Sequence, residues 1–128
     1  MPILNKVMLA EDEPDLQEIT KEALSSLGGF EVFCCDSGVE VIEHFEEQKP
    51  DMLLLDVIMP NLDGMETLKK LNEKFTLNIP VVYLTAETQK KDVDHLKSLG
   101  ASEVLSKPVD FMTIADFLRE IFSRYHSN

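Results

Sequence analysis

Met52-Leu53-Leu54-Leu55 is apolar at every position and runs directly into Asp56. A stretch with no polar alternate positions leaves no face for water. It reads as a strand covered on both sides by helices rather than a half-exposed antiparallel strand. Ile79 to Leu84 has the same character, and shorter apolar runs stand at Lys6–Ala10, Phe30–Cys35 and Ser102–Ser106. Amphipathic stretches follow each of the five. Regular alternation of this kind predicts an α/β fold, a five-stranded parallel sheet with helices on both faces and right-handed crossovers.

The helices have start and stop signals. Pro14 suits a first helical turn, Leu16, Ile19, Ala23, Leu24 and Leu27 recur at helical spacing, and Gly28-Gly29 ends the segment. Ser37-Gly38-Val39-Glu40 has capping-box spacing ahead of Val41, Ile42 and Phe45. A turn at Met59–Gly64 precedes a third helix carrying Met65, Leu68, Leu71 and Phe75. The fourth runs through Val93, Leu96 and Leu99 to Gly100. Asp110 is placed to cap a fifth, with Ile114, Phe117, Leu118, Ile121 and Tyr125 on one face.

At 128 residues the chain has the length of one compact domain. It contains no repeat, low-complexity tract or Pro/Gly/Ser linker, no apolar stretch of membrane-spanning length, and no signal-peptide pattern at Met1–Lys6. The expected location is the cytoplasm, with no membrane association. Cys34 and Cys35 are adjacent, so on a strand they point to opposite faces and read as small buried thiols, not a bridge. The net charge of −12 repels a phosphate backbone, and acidic residues flank both Lys69-Lys70 and Lys90-Lys91. Direct nucleic-acid binding by this segment is not expected.

Open parallel sheets form their sites beyond the carboxyl ends of the strands. Those ends present Glu11 and Asp12 after the first strand, Asp56 after the third, Thr85 after the fourth and Lys107 after the fifth. Each has a purely structural explanation. Acids before a helix complement its dipole, an Asp after a strand caps a turn, a Thr serves as N-cap, and a loop lysine is solvated. Together they make a carboxylate cluster that would hold Mg²⁺, which takes hard oxygen ligands and keeps several waters. Three negative charges, less two for the metal and one for Lys107, sum to zero. A phosphoryl group on Asp56 would find the metal, the Lys107 ammonium and the Thr85 hydroxyl ready for its oxygens, and aspartyl phosphates are a recognised covalent species.

Glu11-Asp12, the stretch Leu53 to Gly64, Leu84-Thr85-Ala86, Gly100-Ala101 and Lys107-Pro108 together resemble the response-regulator receiver domains of two-component signalling, including their chemotaxis-regulator members. The resemblance covers roughly Lys6 to Tyr125, and the whole of 1–128 is expected to be a single receiver domain. It implies the flavodoxin-like strand order 2-1-3-4-5, an order the fold class is known for. It also implies that Asp56 is phosphorylated from a phosphohistidine on a sensor kinase or phosphotransfer protein. Mg²⁺ is then held by Asp12 and Asp56, by Glu11 through water, and by the backbone carbonyl of Ile58. Lys107 pairs with the phosphoryl group, its bond to Pro108 is cis, and Thr85 bonds a phosphoryl oxygen. In-line hydrolysis resets the switch, so the chain is not an enzyme beyond its own phosphorylation and dephosphorylation.

Ile58 and Glu87, two residues beyond Asp56 and Thr85, vary in such domains and influence water access. The downstream partner is an effector domain or protein. A homodimer through the fourth-helix, fifth-strand, fifth-helix face is an expected possibility, and Phe111, Met112 and the Lys90-Lys91 helix start are candidates for that face, with core packing the plainer reading of the apolar pair. One departure stands out. Three residues before Lys107 such domains usually have Tyr or Phe, and here the position is Val104.

Two other classes compete. A phosphohydrolase with an aspartyl nucleophile would carry Asp-x-Asp after its first strand and an insertion for a cap, and neither is present. A receiver-like interaction module working without phosphorylation would lack the acceptor or the lysine, and Asp56 and Lys107 are both here.

Overall fold

The structure is a computed structural model that describes residues 3–86 and 90–127, excluding the side chains of 90–92. Five strands, β1 (Lys6–Ala10), β2 (Glu31–Cys35), β3 (Met52–Asp56), β4 (Val81–Thr85) and β5 (Glu103–Ser106), form one parallel sheet in the order β2-β1-β3-β4-β5. The helices are α1 (Pro14–Glu22), α2 (Gly38–Gln48), α3 (Gly64–Lys74), α4 (Lys90–Ser98) and α5 (Ile114–His126).

The sheet separates two apolar cores, and side-chain alternation explains the division. Val7 and Leu9 of β1, Met52 and Leu54 of β3, and Val82 and Leu84 of β4 pack with Leu24 and with Ile114, Leu118 and Ile121 of α5. The intervening residues, Met8, Ala10, Leu53, Leu55, Val81 and Tyr83, pack with Val41 of α2, Leu68 and Leu71 of α3 and Leu96 of α4. All five residues of β3 and of β4 are buried, which is why those runs have no polar alternate.

Several local expectations are corrected. The first helix does not continue regularly to Gly28, because Ala23–Leu27 widens into one π-helical turn. That turn leaves Leu27 more than half exposed, and Ile19 is about as exposed on α1, although helical spacing grouped both with the core. Asp110 is not the cap of α5 but heads the turn before it: its carboxylate accepts from Met112 N–H and its carbonyl from Ile114 N–H, and Thr113, three residues on, is the N-cap of α5. Phe117 and Tyr125 lie outward, whereas Ala115 and Phe122 complete the buried face. Phe111 packs partly against the core and Met112 is exposed.

Ser37 caps α2 as expected, accepting from Glu40 N–H at 3.2 Å, but the Glu40 carboxylate reaches back to Asp36 N–H instead of completing the box. The reciprocal box is at α3, between Asp63 and Glu66. Cys34 is only partly buried and Cys35 fully; burial raises both thiol pKa values, that of Cys35 to about 12, so neither is a ready nucleophile.

Candidate functional site

The chain reverses its direction of sheet growth between β1 and β3, the position where open α/β sheets form a crevice. At this edge a cleft of about 430 Å³ is lined by Glu11, Asp12, Glu13, Asp56, Ile58, Thr85, Ala86 and Lys107.

Local hydrogen bonds set each wall. Glu11 extends β1 by one residue, its N–H donating to Cys35 O at 3.1 Å. The Gln17 amide then ties this end down, donating to Glu11 O at 2.8 Å, Asp36 Oδ1 at 2.9 Å and Cys35 O at 3.3 Å. On the next strand Val57 N–H donates to Leu84 O, and Gly64 N–H returns to Val57 O, closing the loop that leaves Asp56. Ile58 N–H donates to Asp56 Oδ1 at 3.2 Å, so one carboxylate oxygen of Asp56 is held by its own loop. Ile58's side chain is 74% exposed at the rim. Lys107 N–H donates to Thr85 O at 2.8 Å, linking the last two strand ends, and the Lys107–Pro108 peptide is cis.

Lys107 Nζ donates to Asp56 Oδ2 at 3.0 Å and to Glu11 Oε1 at 3.1 Å, bridging residues 96 apart in sequence on the Glu11 side. Glu11, Asp56 and Thr85 are buried, and Asp12 is exposed. Burial, then the closeness of Asp56, raises the Glu11 pKa to about 7, although Glu13 N–H and Lys107 work the other way. Burial disfavours the Lys107 cation, but its contacts with Asp56 and Glu11 outweigh this and hold its pKa above the ordinary lysine value.

Glu11, Asp12 and Asp56 each offer a carboxylate oxygen, all within 4.8 Å of one another. With three carboxylates ionised and only Lys107 against them, the cluster is two charges short of neutral. Its hard oxygen donors and that charge deficit fit a divalent cation such as Mg²⁺. The structure therefore brings Glu11, Asp12, Asp56, Ile58, Thr85 and Lys107 to one cleft. Glu87 lies outside the described residues. Gln17 and the Glu13 N–H were not anticipated, since a glutamine on the polar side of an amphipathic helix carries no signal of a polar contact across a loop.

A sequence model of the response regulator receiver domain matches residues 7–119. The chain belongs to that family. It is therefore a receiver domain of two-component signal transduction. Among curated proteins it is 34% identical over 118 residues to the transcriptional regulatory protein CrdR of Helicobacter pylori, covering 92% of this chain and 55% of that protein. It is also 34% identical over 123 residues to the transcriptional regulatory protein CpxR of Escherichia coli, covering 96% and 51%. The chain thus spans about half the length of these relatives. Among solved structures, the receiver domain of Francisella response regulator 1452 superposes with a TM-score of 0.85 at 23% identity, covering 94% of this chain and 98% of the other. The chemotaxis response regulator CheY4 of Vibrio cholerae gives 0.81 at 27%, covering 93% and 99%. Among the described residues no helix of this receiver domain is long and apolar enough to cross a membrane.

Proposed function

We propose that this receiver domain is a switch phosphorylated on Asp56 in a Mg²⁺-dependent reaction. The observation that carries the reading is the Lys107 ammonium within hydrogen-bond distance of both Asp56 and Glu11, beside three carboxylates that share a 4.8 Å cluster. The donor is a phosphohistidine on a sensor kinase or phosphotransfer protein. An Asp56 oxygen forms the new P–O bond as the P–N bond breaks, and that bond's electron pair returns to the imidazole nitrogen. Ile58 N–H orients the carboxylate, and Lys107 exchanges part of its contact with Asp56 for the arriving phosphoryl oxygens. The Thr85 hydroxyl, at the end of β4, bonds a further phosphoryl oxygen. Glu11, Asp12, Asp56 and the Ile58 carbonyl are the proposed metal ligands. Mg²⁺, when bound, supplies charge compensation for the transferring group.

Reset occurs when water attacks phosphorus, the P–O bond to Asp56 breaks and inorganic phosphate leaves. The relayed change reaches an effector domain or protein, in keeping with relatives named transcriptional regulators, and a homodimer through α4, β5 and α5 is one form it would take. The reading places the domain in the cytoplasm, where kinase and effector would meet it.

Acetyl phosphate with Mg²⁺ should add a single phosphoryl group by intact-protein mass, and none to Asp56→Asn or in excess EDTA. Labelling of Asp56→Asn, or a wild type that stays unlabelled while correctly folded, would overturn the proposal, the second outcome favouring an interaction module that works without phosphorylation.

A further inference from the structure

Tyr83 carries the single buried side-chain polar atom without a hydrogen-bond partner among the described residues. The residue is 0% exposed in the middle of β4. A phenylalanine would fill the same apolar space without desolvating a hydroxyl, so packing alone does not account for the phenol.

Its position ties it to the switch. Tyr83 lies two residues before Thr85, on the same face of β4 by strand alternation. Across the ladder it pairs with Leu55, the residue before Asp56, and on the other side with the small Val104. It shares its core with Val57 and Met59 of the loop leaving Asp56. The phenol's pKa is raised to about 12 by burial and then by the charge of Asp63, at the far end of that loop. The hydroxyl therefore sits among the elements that phosphorylation of Asp56 would move.

We propose that Tyr83 is a positioning residue of the switch, whose hydroxyl, orphaned in this structure, donates a hydrogen bond to a backbone carbonyl of the 57–63 loop once Asp56 is phosphorylated. This rests on the reading of Asp56 as phosphoacceptor. An orphan donor penalises only the conformation in which it is orphaned, and a differential penalty is what shifts a two-state equilibrium. Tyr83→Phe removes the penalty from the resting form and the bond from the activated form, so both effects favour rest.

The test uses Mg²⁺ with beryllofluoride, which stands in for the phosphoryl group on the Asp56 carboxylate. The chain has two tyrosines and no tryptophan, so in Tyr125→Phe the near-ultraviolet signal of tyrosine comes from Tyr83 alone. Beryllofluoride should shift that absorbance to longer wavelength, as a newly bonded phenol does. Tyr83→Phe should bind beryllofluoride about three- to tenfold more weakly, the scale of one buried hydrogen bond, with a resting thermal midpoint equal to or above wild type. Binding by Tyr125→Phe with no spectral shift, unchanged affinity in Tyr83→Phe, or a lower resting midpoint in that variant overturns the proposal while leaving the acceptor reading intact. No beryllofluoride binding by wild type defeats the acceptor reading, and this proposal with it.

Discussion

Glu11 shows how one side chain is set by its surroundings. Immediately before an exposed loop, it is nonetheless buried against Asp56, with Lys107 shared between them. Its carboxyl favours the protonated form in the folded state, with a pKa of about 7 against an ordinary value of 4.5. Between those two values the folded state binds more protons than the unfolded chain, so stability falls as pH rises through that window. Metal-free protein is thus expected to lose on the order of 1–3 kcal/mol from this group between pH 5 and pH 7.5. Glu11→Gln should flatten that part of the profile and raise stability at pH 7.5, as urea melts at both pH values would show. An identical slope in the variant would mean that Glu11 does not carry the effect.

At the level of elements, α3 is held close to Asp56. A Cβ built on Gly64 would fall 2.6 Å from Asp56 O and 3.0 Å from Val57 Cα, both backbone atoms that cannot swing aside. The helix start is also fastened by the Asp63–Glu66 box and by Gly64 N–H donating to Val57 O. Gly64→Ala should therefore cost about 1–3 kcal/mol and slow any labelling of Asp56 by acetyl phosphate, because the clash pushes on the Asp56 peptide. Wild-type stability and labelling rate in the variant would show that the close approach has no consequence. The π turn at Ala23–Leu27 is the opposite case, an element whose local sequence, Ala-Leu-Ser-Ser-Leu, fits a regular helix equally well. Its geometry accompanies contacts with the rest of the fold: Arg119 of α5 donates to Gly28 O and stacks 4.7 Å from the Phe30 ring centroid.

For the whole molecule, the cleft is where stability and ligand binding are linked. Ionising Glu11 beside buried Asp56 and nearby Asp12 is unfavourable in the metal-free fold, and the net charge of −12 adds to that cost. A cation bound only by the folded state stabilises it by mass action. Mg²⁺ at ten times its dissociation constant should add about 1.4 kcal/mol, a rise in thermal midpoint of roughly 3–6 °C for a domain of this size. Asp12→Asn and Asp56→Asn should lose most of that increment, and EDTA should return wild type to its metal-free midpoint. A midpoint indifferent to Mg²⁺ in wild type would remove the metal from the scheme.

The sequence by itself determined the architecture, because the signal is periodic and repeated. Apolar runs without polar alternates at residues 52–55 and 79–84 require cover on both faces, and amphipathic segments between them supply it. The strand-end position of Glu11, Asp12, Asp56, Thr85 and Lys107 was legible for the same reason, since topology sends every strand's carboxyl end to one edge. What only the tertiary structure decided depends on contacts across the sheet, which no local pattern encodes. Helical spacing assigned Ile19, Leu27, Phe117 and Tyr125 to buried faces, but in the fold all four are exposed. The strand run containing Tyr83 announced a core residue and gave no sign of an unpartnered hydroxyl. That Glu11 and Asp56 share one lysine, at 3.1 and 3.0 Å, follows from three strand ends being held in register by the parallel ladder.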